Sequence, residues 1–266
     1  MSSLSDVKRV VVKVGTSTLT YENGRLNLRA VETLCKVLTD LQNSGKQIIL
    51  VSSGAIGVGT GKLGLPARPT ETHHKQAVAA VGQCELMFMY DKLFGEYNQP
   101  VAQVLLTRDI MDHDRTKQNV INTLKTLMDM SIIPVVNEND TVAIDELVGA
   151  NFGDNDTLSA IVARVAEADL LVLLTDIDGL YDADPRLHSD ARRIERVTAI
   201  NEELMALAGG AGSKRGTGGM RTKLCALQLT MEAHIPGVIM DGSHPERLYD
   251  LLEGKPVGTL FDAGDR

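Results

Sequence analysis

The chain has no tryptophan and only four phenylalanines and five tyrosines. It therefore has no series of aromatic faces on which exposed bases could stack. No apolar run approaches the ~18 residues that a membrane-spanning helix needs. The N-terminal MSSLSDVKR lacks the apolar core of a secretion signal, so a cytoplasmic protein with no membrane partner is expected. Cysteine is scarce. Cys35, Cys84 and Cys225 are far apart with no CxxC pair, which reads as reduced, mostly core thiols. The six histidines form no HExxH motif and no Cys/His cluster, so no metal held by protein groups alone is expected. Basic excess is missing too. A formal net charge of −8 and a pI near 5.3 argue against a nucleic-acid partner.

What remains is ordinary globular material: 266 residues, 43% hydrophobic and 23% charged, enough to bury a core as one domain or two halves. There is no internal repeat, low-complexity tract or clear linker. Short β-branched runs alternate with long amphipathic stretches. Strands are expected at 10–14, 47–51, 101–106, 132–136 and 170–174, with closing strands at 238–240 and 257–261. Helices are expected at 26–44, stopped by Gly45, and at 73–96, 115–130 and 220–233, with one opening at FGDND. Residues 141–148 read as a small hairpin. Apolar strands separated by helices indicate α/β architecture, a parallel sheet covered on both faces. Ligands of such sheets bind at the carboxyl ends of the strands. Those ends read KVGTS, VSSGA, LLTRD, VVNEND and LLTDID. All five carry small, polar or charged residues.

The densest polar cluster is 149–156, GANFGDND, running into TLSAIVARVA, with NEND at 137–140 just before it. Carboxylates gathered at strand ends cost folding energy unless a cation, an amine or a phosphate–metal complex joins them. The alternative is a solvated turn in which Asn155 or Asp156 caps a helix. A second feature is GGAGSKRGTGG at 209–219, which feeds MRTK and places Lys223 about one turn into a helix. Glycines let backbone N–H groups approach an anion, and the helix start adds its dipole. A flexible surface loop is the alternative. Lys13, beside Gly15 and Thr16, is a second candidate phosphate cation. Two familiar phosphate motifs fail. A P-loop ending at Gly61–Lys62 has Ile56 where its first glycine belongs and Leu63 after the lysine. GTGKLG at 59–64 satisfies GxGxxG, yet it lies past its strand and is followed by Pro66 and Pro69. The remaining pattern is two lysines, a Gly-rich loop and carboxylates at adjacent strand ends. It suits phosphoryl transfer, which needs positioning and charge neutralisation more than covalent chemistry.

KVGTS, VSSGAI, KQAVAAVGQ, LLTR, VVNENDTV, FGDND, LLTDIDGLYDADPR, GTGGMRTK and VGTLF, in this order, closely resemble the glutamate 5-kinases of the amino acid kinase family. The resemblance runs from Lys13 to Phe261. KVGTS is shared across that family, whereas the combination of SSGAI, NENDTV, GDND and GTGGMRTK is much narrower. The resemblance implies a three-layer αβα sandwich around a mostly parallel sheet of about eight strands. It implies transfer of the ATP γ-phosphoryl, with Mg²⁺ arriving on the nucleotide, to the side-chain carboxylate of L-glutamate, the first step of proline biosynthesis. Lys13 and Lys223 would stabilise the transferring phosphoryl and Asp156 would orient them. Ser53, Asp140 and Asn155 match acceptor positions, Asp140 for the ammonium and Ser53 and Asn155 for a carboxylate, with Asn137 beside them. Thr175 and Asp176 match nucleotide contacts, as do Thr217, Gly218, Gly219, Met220, Arg221, Thr222 and Lys223. Residues to about 165 would form the glutamate-binding half and 166–266 the nucleotide-binding half of a single kinase domain.

The resemblance further implies proline as a feedback inhibitor, a homo-oligomer (dimer or tetramer) and hand-off of the product to glutamyl-phosphate reductase. The loop 59–74 is one place for proline control; a plain connection is the other reading. Many bacterial members carry a C-terminal PUA domain, which is not expected in a chain ending at Arg266, just past VGTLF. Two rivals remain on the residues alone: a same-fold kinase with another acceptor, and a non-catalytic sensor. A phosphate acceptor would want Arg or Lys near SSGA and NEND, where none stands. A sensor would not need Lys13, Lys223 and Asp156, and all three are present.

Overall fold

The computed structural model describes residues 4–107, 111–142, 155–185, 187, 188, 190–208, 219–262 and 264. Eight strands run in chain order: β1 Arg9–Val14, β2 Gln47–Ser52, β3 Val101–Leu106, β4 Ile133–Glu138, β5 Leu170–Thr175, β6 Arg196–Val197, β7 Gly237–Asp241 and β8 Thr259–Phe261. The helices are α1 Thr16–Leu19, α2 Leu28–Asn43, α3 Ala55–Lys62, α4 Thr72–Gly95, α5 Asp114–Asp129, α6 Asn155–Val165, α7 Glu202–Leu207, α8 Met220–Met231 and α9 Arg247–Leu252. Local chemistry sets several boundaries. The Asn27 side chain accepts the Ala30 N–H to start α2, and Gly45, at φ 94°, takes the left-handed turn after it.

The strands form one sheet in the order β3-β4-β2-β1-β5-β7-β8-β6. Every pairing is parallel except β7 with β8. Strand side chains alternate between faces, and the core divides accordingly. Val10, Val12 and Val14 of β1, with Leu50, Val172 and Met240, pack with α2, α4 and α9. Val11, Ile49, Val51, Leu173 and Ile239 pack with α5, α6 and α8. The result is the three-layer αβα sandwich that the resemblance implies. Being buried on both sides, β1, β2 and β5 keep their polar residues almost entirely at their ends, Arg9 and Gln47 at the amino ends and Ser52 and Thr175 at the carboxyl ends. Lys13 is the exception within a strand. It shares the Val11 face, so it points toward the α6 and α8 layer.

The sequence reading differs from the structure mainly where glycine is dense. The span after SSGA is a helix, α3, with Gly59 and Gly61 inside it, so GTGKLG is no phosphate turn. Likewise residues 59–62 and 72–74 of the expected control loop are helical, and the connection itself is 63–71. Asn137 and Glu138 belong to β4 rather than to a loop after it. Thr16–Leu19 is a short helix, and α7, α9 and β6 are elements that the periodicity did not disclose. Of the proposed hairpin, Thr141 and Val142 form a turn, and 143–148 lie outside the described residues.

Glycine in α3 serves packing. A Cβ on Gly59 would stand 2.0 Å from the Val78 carbonyl oxygen, and one on Gly82 would stand 1.7 Å from that of Ala55. The backbones of α3 and α4 thus touch directly, which no side chain permits. On a free helix Gly→Ala stabilises by about 1 kcal/mol. Here Gly82→Ala is expected to reverse sign and cost roughly 1–3 kcal/mol or more, read by denaturant unfolding. An unchanged or higher midpoint would contradict the close approach of these helices.

Candidate active site

Three elements meet at the carboxyl end of β1. Lys13 comes from β1, Asp156 from the first turn of α6, and Lys223 from the first turn of α8. Lys13 Nζ lies 2.6 Å from Asp156 Oδ1, and Lys223 Nζ lies 3.1 Å from Asp156 Oδ2. The carboxylate is completely buried, and the two lysine side chains are 7% and 9% exposed. Burial alone would push the Asp156 carboxyl up. The charges and hydrogen bonds of Lys13 and Lys223 outweigh it and hold the group well below the usual carboxylate range. The Thr222 hydroxyl lies 2.9 Å from Asp156 Oδ2 and 2.8 Å from the Gly219 carbonyl oxygen, so it can donate to either. Two cations bridged by one anion leave a net positive charge of one, in a place suited to a group that gains negative charge.

Beside this triad lies a chain of buried amides. Ser53 follows β2, its backbone N–H donating to the Val14 carbonyl at 3.1 Å, and Gly54 turns the chain into α3 at φ 106°. Asn155 Nδ2 donates to Ser53 Oγ at 3.0 Å and to Asn137 Oδ1 at 3.1 Å. Asn137 Oδ1 also accepts the Glu138 backbone N–H at 2.9 Å, and Asn137 Nδ2 donates to Gln83 Oε1 at 2.8 Å. Both hydrogens of the Asn155 amide are spent inside the protein. What it has left is Oδ1, an acceptor, where the sequence reading had given it a donor's role toward a carboxylate. Asp140 stands half-buried just past β4.

Gln83 did not figure among the site residues read from sequence. Its signal is a polar side chain in register with Leu86, Tyr90 and Phe94, the buried face of α4. A glutamine at such a position needs a polar partner.

On the other side, β5 delivers Thr175, whose hydroxyl donates to Asp176 Oδ1 at 3.1 Å. The α8 helix begins at Met220 after Gly219, an N-cap with no capping side chain, and a helix start of this kind attracts phosphate. Arg221 is exposed, and Met220 and Thr222 are partly so. Thr217 and Gly218 lie outside the described residues, as do 149–154 of the GANFGDND stretch. Among the described residues, one group of three could share a metal ion: Glu71, His73 and His74 at the exposed start of α4. It does not include Asp156. Magnesium keeps several waters and is commonly carried on substrate phosphates rather than in an all-protein cage. No helix among the described residues is long and apolar enough to cross a membrane.

The model of the amino acid kinase family matches residues 8–241. A glutamate 5-kinase of Clostridium perfringens is 55% identical over 262 residues, covering 98% of this chain and 97% of that protein. One of Enterococcus faecalis is 51% identical over 264 residues, covering 99% and 97%. Among solved structures, the UMP kinase of Bacillus anthracis superposes with a TM-score of 0.66 at 14% identity, covering 97% of each chain. The isopentenyl phosphate kinase of T. acidophilum gives 0.63 at 17% identity, covering 96% of this chain and 100% of that one. These two show the shared fold. With its lysine–carboxylate–lysine triad at the end of β1 and curated relatives matching it almost end to end, the chain belongs to the amino acid kinase family and, within it, to the glutamate 5-kinases.

Proposed function

We propose that Lys13, Asp156 and Lys223 carry the phosphoryl transfer of this kinase, and that Ser53, Asn137, Asp140 and Asn155 form its acceptor pocket. The reaction is ATP-dependent phosphorylation of the side-chain carboxylate of L-glutamate to L-glutamyl 5-phosphate, the entry step of proline biosynthesis. A carboxylate oxygen attacks the γ-phosphorus, the bond to the β–γ bridging oxygen breaks, and its electron pair leaves on ADP. The reading is carried by one observation: two lysines from different elements converge on a single buried carboxylate. Lys13 and Lys223 meet charge on the equatorial and leaving oxygens, and Asp156 fixes both ammonium groups before substrate arrives. Asp140 pairs with the substrate ammonium. Mg²⁺, bound with ATP, neutralises the β- and γ-phosphates.

Residues to about 165 supply the acceptor side and 166–266 the nucleotide side, with Thr175, Asp176, Thr217 and the α8 start around the phosphates. Support for this division is the origin of the residues: Ser53, Asn137, Asp140 and Asn155 precede 165, and Thr175 and Gly219–Lys223 follow it. Proline inhibition, assembly into a dimer or tetramer, a cytoplasmic location and hand-off to a reductase extend the reading on the strength of the family resemblance.

A hydroxylamine trap with ATP, Mg²⁺ and L-glutamate tests the activity, because hydroxylamine captures an acyl phosphate as a coloured hydroxamate. Signal with L-glutamate, and little with aspartate or N-acetylglutamate, is the expected outcome. Signal with another acceptor instead would overturn the pocket assignment.

In the same assay Lys223→Ala should lower kcat by several orders of magnitude with a modest change in the KM for glutamate, as for a group acting in the transition state. Asp140→Ala should raise that KM most. Near wild-type turnover in Lys223→Ala would remove the lysine from the mechanism.

Asp156 makes a prediction about pH. Its native carboxyl titrates below its unfolded value of about 3.9. The stability it contributes is thus fully present above pH ~4 and is lost as pH falls toward the native value. Asp156→Asn should cost roughly 3–5 kcal/mol at pH 7, as expected when a buried pair loses one partner. That gap should narrow as pH drops below ~4. A gap that stayed constant down to pH 2 would contradict the ion pairing.

A further inference from the structure

The amide chain has a direction, and one backbone group sets it. The Glu138 N–H can only donate, so the atom of the Asn137 side chain facing it must be the oxygen. With Oδ1 there, Asn137 must turn Nδ2 to Gln83, which therefore offers Oε1. The same Oδ1 draws Nδ2 of Asn155, whose second hydrogen goes to Ser53 Oγ. Two buried atoms are left over at the ends of this chain: Gln83 Nε2, a donor with both hydrogens unspent, and Asn155 Oδ1, an acceptor. Gln83 is 9% exposed and Asn155 is 8% exposed. Leaving buried polar atoms like these without partners is costly, and native proteins seldom do so without a water or a ligand to meet them. The two have opposite polarity, and an amino acid carries the matching pair, a carboxylate and an ammonium.

We propose that Gln83 is a further acceptor-binding residue, whose Nε2 donates to the α-carboxylate of bound L-glutamate while Asn155 Oδ1 accepts from its α-ammonium. The α-carboxylate is the one assigned because the side-chain carboxylate must face the lysines to be phosphorylated. This rests on the reading of L-glutamate as the acceptor and extends it. Ser53 complements the arrangement: its Oγ accepts from Asn155, so its own hydrogen is free to donate. Asn155 then joins Asp140 as an acceptor for the ammonium.

The test compares L-glutamate with its α-amide, isoglutamine, which keeps the side-chain carboxylate but presents an amide in place of the α-carboxylate. Gln83→Glu retains an oxygen for Asn137 Nδ2 and replaces the donor by an acceptor. It should raise the KM for glutamate roughly 10- to 100-fold, the value of a hydrogen bond to a charged group, with kcat within about threefold and the KM for ATP unchanged. The ratio of kcat/KM for glutamate over isoglutamine should fall at least about tenfold, because the introduced carboxylate can accept from the amide. Gln83→Met, close in size and uncharged, is the second variant should Gln83→Glu not fold. In it the same ratio should drop toward unity. A merely structural glutamine would lower the melting temperature and shift both substrates alike, leaving the ratio unmoved, and that result overturns the proposal. Wild-type hydroxamate formation from glutamate is read in parallel. Its absence would sink the acceptor assignment itself, whereas its presence with an unmoved ratio would sink only the role of Gln83.

Discussion

Everything about this site depends on one buried carboxylate. Asp156 has no exposure to water, and an isolated charge in that position would cost several kcal/mol even after the protein relaxed around it. Lys13 and Lys223 are nearly as buried and would carry the same penalty alone. Each group is tolerable only because the others are present. That mutual need ties β1, α6 and α8 together at one point, and it holds two ammonium groups on a single carboxylate. In stability terms the arrangement is little better than a well-packed apolar one. In the proposed mechanism its value lies in catalysis, since preorganised charge need not reorient as the reaction proceeds.

The fold provides the convergence through simple alternation. Lys13 points to the α6–α8 layer because it shares a face with Val11, whereas Val12 and Val14 face α2 and α4. Asn137 shares a face with Val135 in the same way, which turns it toward α4 and Gln83. The amide chain is thus set by the layer that holds α3 and α4, and the lysine–carboxylate triad by the layer that holds α6 and α8. Asn155 and Asp156, adjacent at the start of α6, join the two. One side chain reads the amides and its neighbour reads the lysines. The glycine contact between α3 and α4 belongs to the same design, because it seats Gln83 near β4 and holds the turn after Ser53 in place.

Much of this was legible in the sequence. β-branched runs ending in polar residues marked the strands and their binding edge, and Lys13, Asp156 and Lys223 could each be named from local pattern. Distance was not legible: nothing local says that Lys13 and Lys223 share one carboxylate. Glycine misled at one point. In α3 it promised a loop, but it is there because two helix backbones touch, a reason that lies in the partner helix and not in the local sequence. Gln83 was hidden for a related reason. Gln83 closes the KQAVAAVGQ motif, but nothing in that motif says that its side chain is polar in an otherwise apolar face until its neighbours in register prove to be core. Hydrogen-bond polarity was the least legible of all. Asn155 could be chosen as a site residue, but whether it offers N–H or C=O depends on the Glu138 backbone N–H, seventeen positions away.

Charge completes the picture. The chain as a whole carries −8, which on average repels a nucleotide and a dicarboxylic amino acid alike. The triad opposes that field locally, with two lysines against one carboxylate, and low-dielectric walls strengthen such a local charge relative to the screened exterior. Anionic substrates are therefore stabilised at one point and disfavoured over much of the remaining surface. An excess of cations elsewhere would have bound ATP without positioning it. In the proposed mechanism, concentrating one net positive charge, buried and held by Asp156, directs the binding energy of both anions to the place where their reacting oxygens must meet.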